Sequence, residues 1–202
     1  MSASEIRSLA RALLDLCKMR KLTIATAESC TGGLVCASLV DIPGSSAVVT
    51  SGFITYSNEA KHEFLGVSTE TLENFGAVSK EAAVSMATGA LKKAKSDLTV
   101  AVTGIAGPGG ATPGKPVGLV HLAVASRDGR VVSREKRFGA IGRTAVRMRS
   151  VVEALKMLTD LARGPAKTTK LKRPAAGTGR SRPRASRTLR QSAGTRRRTS
   201  RP

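Results

Sequence analysis

Hydroxyl side chains gathered where a strand stops are the groups in this sequence best suited to nucleophilic chemistry. The run Thr23-Ile24-Ala25-Thr26-Ala27-Glu28-Ser29-Cys30-Thr31-Gly32-Gly33 begins apolar and β-branched, ends polar, and leads into a helix-like segment, Leu34–Val40. Such a junction puts backbone N–H groups and a side-chain nucleophile in one crevice. Ser, Thr and Gly also cap helices at such turns, and taken alone the pattern favours capping over catalysis.

A second polar loop, Thr103-Gly104-Ile105-Ala106-Gly107-Pro108-Gly109-Gly110, runs on to Lys115 and Pro116. Its N–H groups are candidates to cradle an anion, with Lys115 as counter-charge. It is neither a Walker loop nor a GxGxxG fingerprint, and a flexible surface loop is an equal alternative. The third stretch is residues 55–61, which carries Tyr56 and Lys61. None of the three loops contains a histidine base for a Ser-His-Asp arrangement, His62 following just after Lys61. A lysine fills that role when desolvation keeps it neutral near pH 7. Most lysines on short helices are solvated, so spacing alone leaves Lys61 unremarkable.

Helices and strands must bring these loops together. Ile6, Leu9, Leu13, Leu14 and Cys17 recur at helical spacing and predict a helix over 3–20. A strand over 22–27 follows, then the polar turn and helix, and Pro43-Gly44 marks a loop at 41–46. Residues 47–56 read as a strand with Gly52 as a candidate bulge. Ser57 caps a short helix, 69–74 forms another that Gly76 ends, and Ser79 caps a longer one. Ala83, Met86, Ala87, Ala90 and Ala94 stripe one face of that helix for packing. A buried strand at 98–102 precedes two strands, 118–125 and 131–137, joined by Arg127-Asp128-Gly129, a hairpin signal. A helix over 143–162 buries Val151, Val152, Leu155, Leu158 and Ala162 and stops at Gly164-Pro165. The alternation predicts an α/β fold of three layers, α/β/α, and the hairpin makes its sheet mixed.

Of the net charge of +20, the ten Arg and three Lys of residues 164–202 supply thirteen, with no Asp or Glu among them. The basic balance therefore describes a tail and does not mark residues 1–163 as nucleic-acid binding. Three cysteines without a CxxC pair argue against a disulfide framework, and only two histidines leave no metal-ligand cluster to read. Charges interrupt the N-terminal apolar pattern, so a signal peptide or membrane span is not expected, and the reading is cytoplasmic.

Ala27-Glu28-Ser29-Cys30-Thr31-Gly32-Gly33 is followed in order by Gly52-Phe53-Ile54-Thr55-Tyr56-Ser57-Asn58-Glu59-Ala60-Lys61. Then come Gly76-Ala77-Val78-Ser79, the 103–110 loop and Lys115-Pro116-Val117-Gly118. Together these resemble the CinA C-terminal domain family over roughly residues 5–162. Its single-domain members include nicotinamide-mononucleotide deamidases, so the resemblance implies a Ser/Lys amidohydrolase without metal or cofactor. The resemblance implies Ser29 as nucleophile, with Ser45 and Ser46 as alternatives, and Lys61 as general base and then acid. It makes Thr31, Thr103 and the N–H groups of Cys30, Thr31 and Gly32 candidates for the oxyanion hole, with Gly33 continuing that turn. Tyr56 is expected to orient Lys61 or stack on the pyridine ring. Gly104, Ala106, Gly107, Gly109, Gly110 and Lys115 are expected to hold the ribose phosphate. Glu28 pairs with a cation in the site or caps the following helix, with a structural role favoured. The family's usual Gly-Asp-Arg segment before the last helix is replaced by Ile141-Gly142-Arg143, leaving Arg143 and Arg147 as candidate phosphate contacts.

The family forms oligomers, so a homo-oligomer is expected. Residues 164–202 have almost nothing to bury and are expected to be a disordered tail with weak, non-specific affinity for nucleic acid. The competing function is a catalytically silent nucleotide-binding domain that uses this tail to sit on nucleic acid.

Overall fold

The computed structural model describes residues 3–164, and all but the first residue of the predicted tail lies outside them. The described residues form six α-helices and five strands: α1 (Ala3–Arg20), β1 (Ile24–Glu28), α2 (Leu34–Val40), β2 (Val49–Ile54), α3 (Asn58–Leu65) and α4 (Thr69–Phe75) come first. They are followed by α5 (Lys80–Ala94), β3 (Leu98–Gly104), β4 (Leu119–Ser126), β5 (Val131–Arg137) and α6 (Arg143–Arg163). The sheet order is β2-β1-β3-β4-β5. β1 runs parallel to both β2 and β3, and β4 and β5 return antiparallel, so the predicted mixed sheet is the observed one.

Side-chain alternation along the strands divides the core into two. Ile24, Val100, Val102, Leu122 and Val124 pack with Leu13, Leu14, Leu155 and Leu158 of α1 and α6. On the other face Ala27, Ala101, Ala123 and Ala125 meet Ala83, Ala87 and Ala90 of α5. Alanine against alanine lets α5 approach the sheet closely, which is the work of the stripe read from sequence. β1 and β4 are buried at every position, as strands covered on both faces must be.

Several boundaries differ from expectation. β1 starts at Ile24 because Thr23 is engaged with Asp97: its N–H and hydroxyl donate to the carboxylate at 2.9 and 2.7 Å. The register shift between β1 and β2 falls at Thr50, between Val49 and Ser51, and not at Gly52, which pairs regularly with Thr26. Gly52 is needed for close approach instead, since a Cβ there would lie 2.8 Å from Cys36 Sγ. β3 continues past Val102, so Thr103 and Gly104 are strand residues whose backbone is pinned opposite His121 and Val120.

α2 is preceded at its N-cap by Gly33, whose φ of 91° suits glycine and which has no side chain to cap with. The cap comes from the strand: Glu28, fully buried, accepts from the N–H of Val35 at 3.0 Å and of Cys36 at 2.9 Å. Glu28→Ala leaves two N–H groups without their acceptor and is expected to cost about 2–3 kcal/mol, read as a lower urea midpoint at unchanged m-value.

Candidate active site

Because β1, β2 and β3 are parallel, their carboxyl ends share one edge of the sheet, and the turns that leave them meet there. Ser29 follows β1 directly, its N–H donating to Val102 O at 2.9 Å. Ser57 caps α3 by accepting from the Ala60 N–H at 3.1 Å, which starts the helix so that Lys61 points back along its axis toward the strand end. A pocket of about 250 Å³ opens between these turns.

Lys61 Nζ lies 3.2 Å from Ser29 Oγ. It also donates to the carbonyls of Thr55 at 2.8 Å and Tyr56 at 3.2 Å, with Ser57 O at 3.4 Å. The side chain is 1% exposed, and no carboxylate forms an ion pair with it among the described residues. Burial holds its amine below the ordinary lysine value, against smaller opposing effects of Cys30 and Glu59. A neutral amine has two N–H groups and one lone pair. Thr55 and Tyr56 take the first two, and the lone pair is left for the Ser29 hydroxyl hydrogen. After protonation the third N–H donates to Ser29 Oγ. The same geometry thus serves both halves of a proton cycle.

Gly32 N–H donates to Ser29 O at 3.0 Å, closing the turn. The intervening N–H groups of Cys30 and Thr31 have no backbone acceptor among the described residues. Cys30 borders the pocket, but burial pushes its thiol up to about 12, so it is protonated at neutral pH and does not compete with Ser29. Thr103 Oγ1 donates to Ala77 O at 2.7 Å. Its hydrogen is thereby taken, and it presents lone pairs to the pocket, which suit an amide N–H better than an oxyanion. Thr31 does not border the pocket and its hydroxyl is fully buried without a partner, so it too offers no oxyanion donor from its side chain.

The opposite wall is Gly104, Ile105, Ala106, Gly107, Gly109 and Gly110. Gly104 admits no side chain, since a Cβ would lie 2.7 Å from Leu119 O. At Gly107, where φ is 85°, a Cβ would meet Val117 Cγ1 at 2.7 Å. The N–H groups of Ala106, Gly107, Gly109 and Gly110 have no backbone acceptor among the described residues. Arg143, the first residue of α6, donates to Gly107 O at 3.1 Å and reaches the Tyr56 hydroxyl at 3.4 Å. Tyr56 therefore touches Lys61 through its carbonyl, while its ring, 63% exposed, stands at the mouth.

Three further expected placements are not found, while Glu28 takes the structural role favoured for it. Ser45 and Ser46 form a 3-10 turn just before β2, at the amino edge of the parallel strands, a strand length from Ser29. Glu28 turns both carboxylate oxygens to the α2 backbone, away from the pocket. Gly32 and Gly33 shape the turn without bordering the pocket, Gly33 lying so close to β2 that a Cβ would touch Ile54 at 3.0 Å. Lys115 donates to Phe75 O at 2.6 Å instead of facing the loop's N–H groups. Ala77 and Val78 also border the pocket; spacing marks neither as a site residue, both being apolar, although the Gly76-Ala77-Val78-Ser79 motif is visible in the sequence. Among the described residues no cluster of three or more metal-ligating side chains occurs, and no helix is long and apolar enough to cross a membrane.

The family model for the CinA C-terminal domain matches residues 6–162. This chain belongs to that family. A crystal structure of the competence/damage inducible protein CihA from Agrobacterium tumefaciens is 54% identical, with a TM-score of 0.77 over 78% of this chain and 95% of that one. The nicotinamide-nucleotide amidohydrolase PncC of Escherichia coli is 46% identical over 158 residues, 78% of this chain and 95% of PncC. The CinA-like protein of Chloroherpeton thalassium is 59% identical over 112 residues, 55% of this chain. Relatives of that longer kind extend well beyond the match, the chain spanning between 27% and 35% of their length.

Proposed function

We propose that this chain is a nicotinamide-nucleotide amidohydrolase that converts nicotinamide mononucleotide and water to nicotinate mononucleotide and ammonia. The observation that carries the reading is a buried lysine amine, without a carboxylate partner, 3.2 Å from a serine hydroxyl at the floor of a pocket. The similarity to PncC supplies the substrate.

In this mechanism Lys61 Nζ takes the Ser29 proton as Oγ attacks the carboxamide carbon. The oxyanion forms against the Cys30 N–H. Thr103 Oγ1 accepts a hydrogen bond from the amide nitrogen and holds it toward Lys61. The C–N bond breaks as Lys61 returns the proton, ammonia leaves, and an acyl-Ser29 ester remains. Water then attacks that ester with Lys61 again as base, releasing nicotinate mononucleotide and restoring the hydroxyl. Arg143 and the glycine-loop N–H groups hold the phosphate.

The decisive assay is ammonia release from nicotinamide mononucleotide in the presence of EDTA. Turnover unaffected by the chelator is expected. A folded protein that binds the nucleotide and releases no ammonia would overturn the reading and favour a binding domain. The proposal includes a place in cytoplasmic pyridine-nucleotide salvage and self-association of the chain, the latter tested by sedimentation. It also includes weak, salt-sensitive attachment of residues 165–202, outside the described residues, to polyanions.

A further inference from the structure

The proposed mechanism leaves a half-buried cation without a role. Arg147 lies one helical turn beyond Arg143 on α6, does not border the pocket, and forms no ion pair among the described residues. Its Nη2 donates to Thr31 O at 2.8 Å, and its Nε is buried with no partner. The approach is close: a Cβ on Gly32, where φ is 59°, would sit 3.4 Å from that Nη2.

The peptide unit that Arg147 holds by its carbonyl carries the Gly32 N–H at its other end. That N–H donates to Ser29 O at 3.0 Å. The Ser29 carbonyl belongs in turn to the peptide whose N–H is that of Cys30, beside the nucleophile. A guanidinium, two peptide units and the hydrogen bond between them thus form one continuous chain, whose far end is the Cys30 N–H, the oxyanion donor of the proposed mechanism. Each hydrogen bond in such a chain polarises the next, more so away from bulk water. We propose that Arg147 is a positioning residue that fixes the nucleophile turn and strengthens the Cys30 N–H as an oxyanion donor through these two peptides. The inference rests on Ser29 as the nucleophile.

Two rates test it. The first is ammonia release from nicotinamide mononucleotide, resolved into kcat and KM. The second is labelling by a small alkyl fluorophosphonate: Ser29 Oγ bonds to phosphorus, the P–F bond breaks, fluoride leaves, and the proton passes to Lys61. Loss of a whole oxyanion donor costs on the order of 10²–10³ in kcat, so weakening one is expected to cost about tenfold. Arg147→Met should lower kcat and the labelling rate by about that factor with KM within about twofold, while Arg147→Lys recovers part of both. If Arg147→Met does not fold, Arg147→Gln, which keeps a donor and loses the charge, makes the same test. A folded variant that labels at the wild-type rate, an effect on KM alone, or a wild-type Ser29 inert to the probe overturns the proposal. A wild type that labels at Ser29 but releases no ammonia sinks the substrate assignment alone, and the labelling comparison still decides for or against Arg147.

Discussion

Ser29→Ala is expected to lower ammonia release by about four orders of magnitude or more, because nothing else in the pocket replaces the hydroxyl that Lys61 addresses. Cys30 is adjacent, but its thiol is held protonated by burial. The loss should appear in kcat, with nucleotide affinity by calorimetry nearly unchanged, since the phosphate contacts proposed for Arg143 and the glycine loop remain. Ser45→Ala is the companion measurement. Ser45 lies at the amino edge of the parallel strands and is expected to leave kcat at the wild-type value. A Ser29→Ala protein that still turns over, beyond traces of contaminating enzyme, would remove Ser29 from the chemistry.

Lys61 carries the second large effect. Its side chain is almost wholly buried, and desolvation depresses its pKa. As a base it works only when neutral, so kcat should rise with pH through the depressed value and level off above it. Lys61→Met should abolish turnover. Lys61→Arg should not rescue it, since a guanidinium of comparable reach stays protonated at every accessible pH. An arginine variant with substantial activity would mean that position 61 supplies charge and not proton transfer.

The same shift makes a stability statement whose sign is set by linkage. The unfolded chain holds the Lys61 proton up to the ordinary lysine value, while the folded chain gives it up at lower pH. Below the folded value both states are protonated, and the cost of burying the ammonium is fully present. Between the two values the unfolded state binds more protons, so this contribution to stability rises with pH. Urea midpoints followed across that interval should climb in wild type and lose the climb in Lys61→Met.

The element order, the hairpin at Asp128-Gly129 and the caps at Ser57 and Ser79 are local matters of spacing and turn chemistry, and a linear reading reaches them. Ser29 at the end of a strand and the glycines at 104, 107 and 110 are legible for the same reason. The ordered motifs add the family, and with it the pairing of Ser29 with Lys61.

What spacing alone could not show is that Lys61 is dry and within reach of a serine 32 residues away. Two parallel strands and the start of α3 bring them together, and desolvation depends on what covers the amine. The same holds for Ser45 and Ser46, which have the right side chains and lie at the wrong end of the sheet. Glu28 reads from sequence as a cap or a cation partner, and Lys115 as a ligand contact. In the fold, Glu28 caps α2 and Lys115 donates to Phe75 O, so both are turned to backbone groups. Arg147 shows the limit most plainly: its contact with Thr31 spans 116 positions, and no periodicity in the chain relates the two. Residue type and spacing determined which chemistry was available to this protein, whereas strand order and burial decided which groups perform it, since distance and dielectric belong to the packed chain.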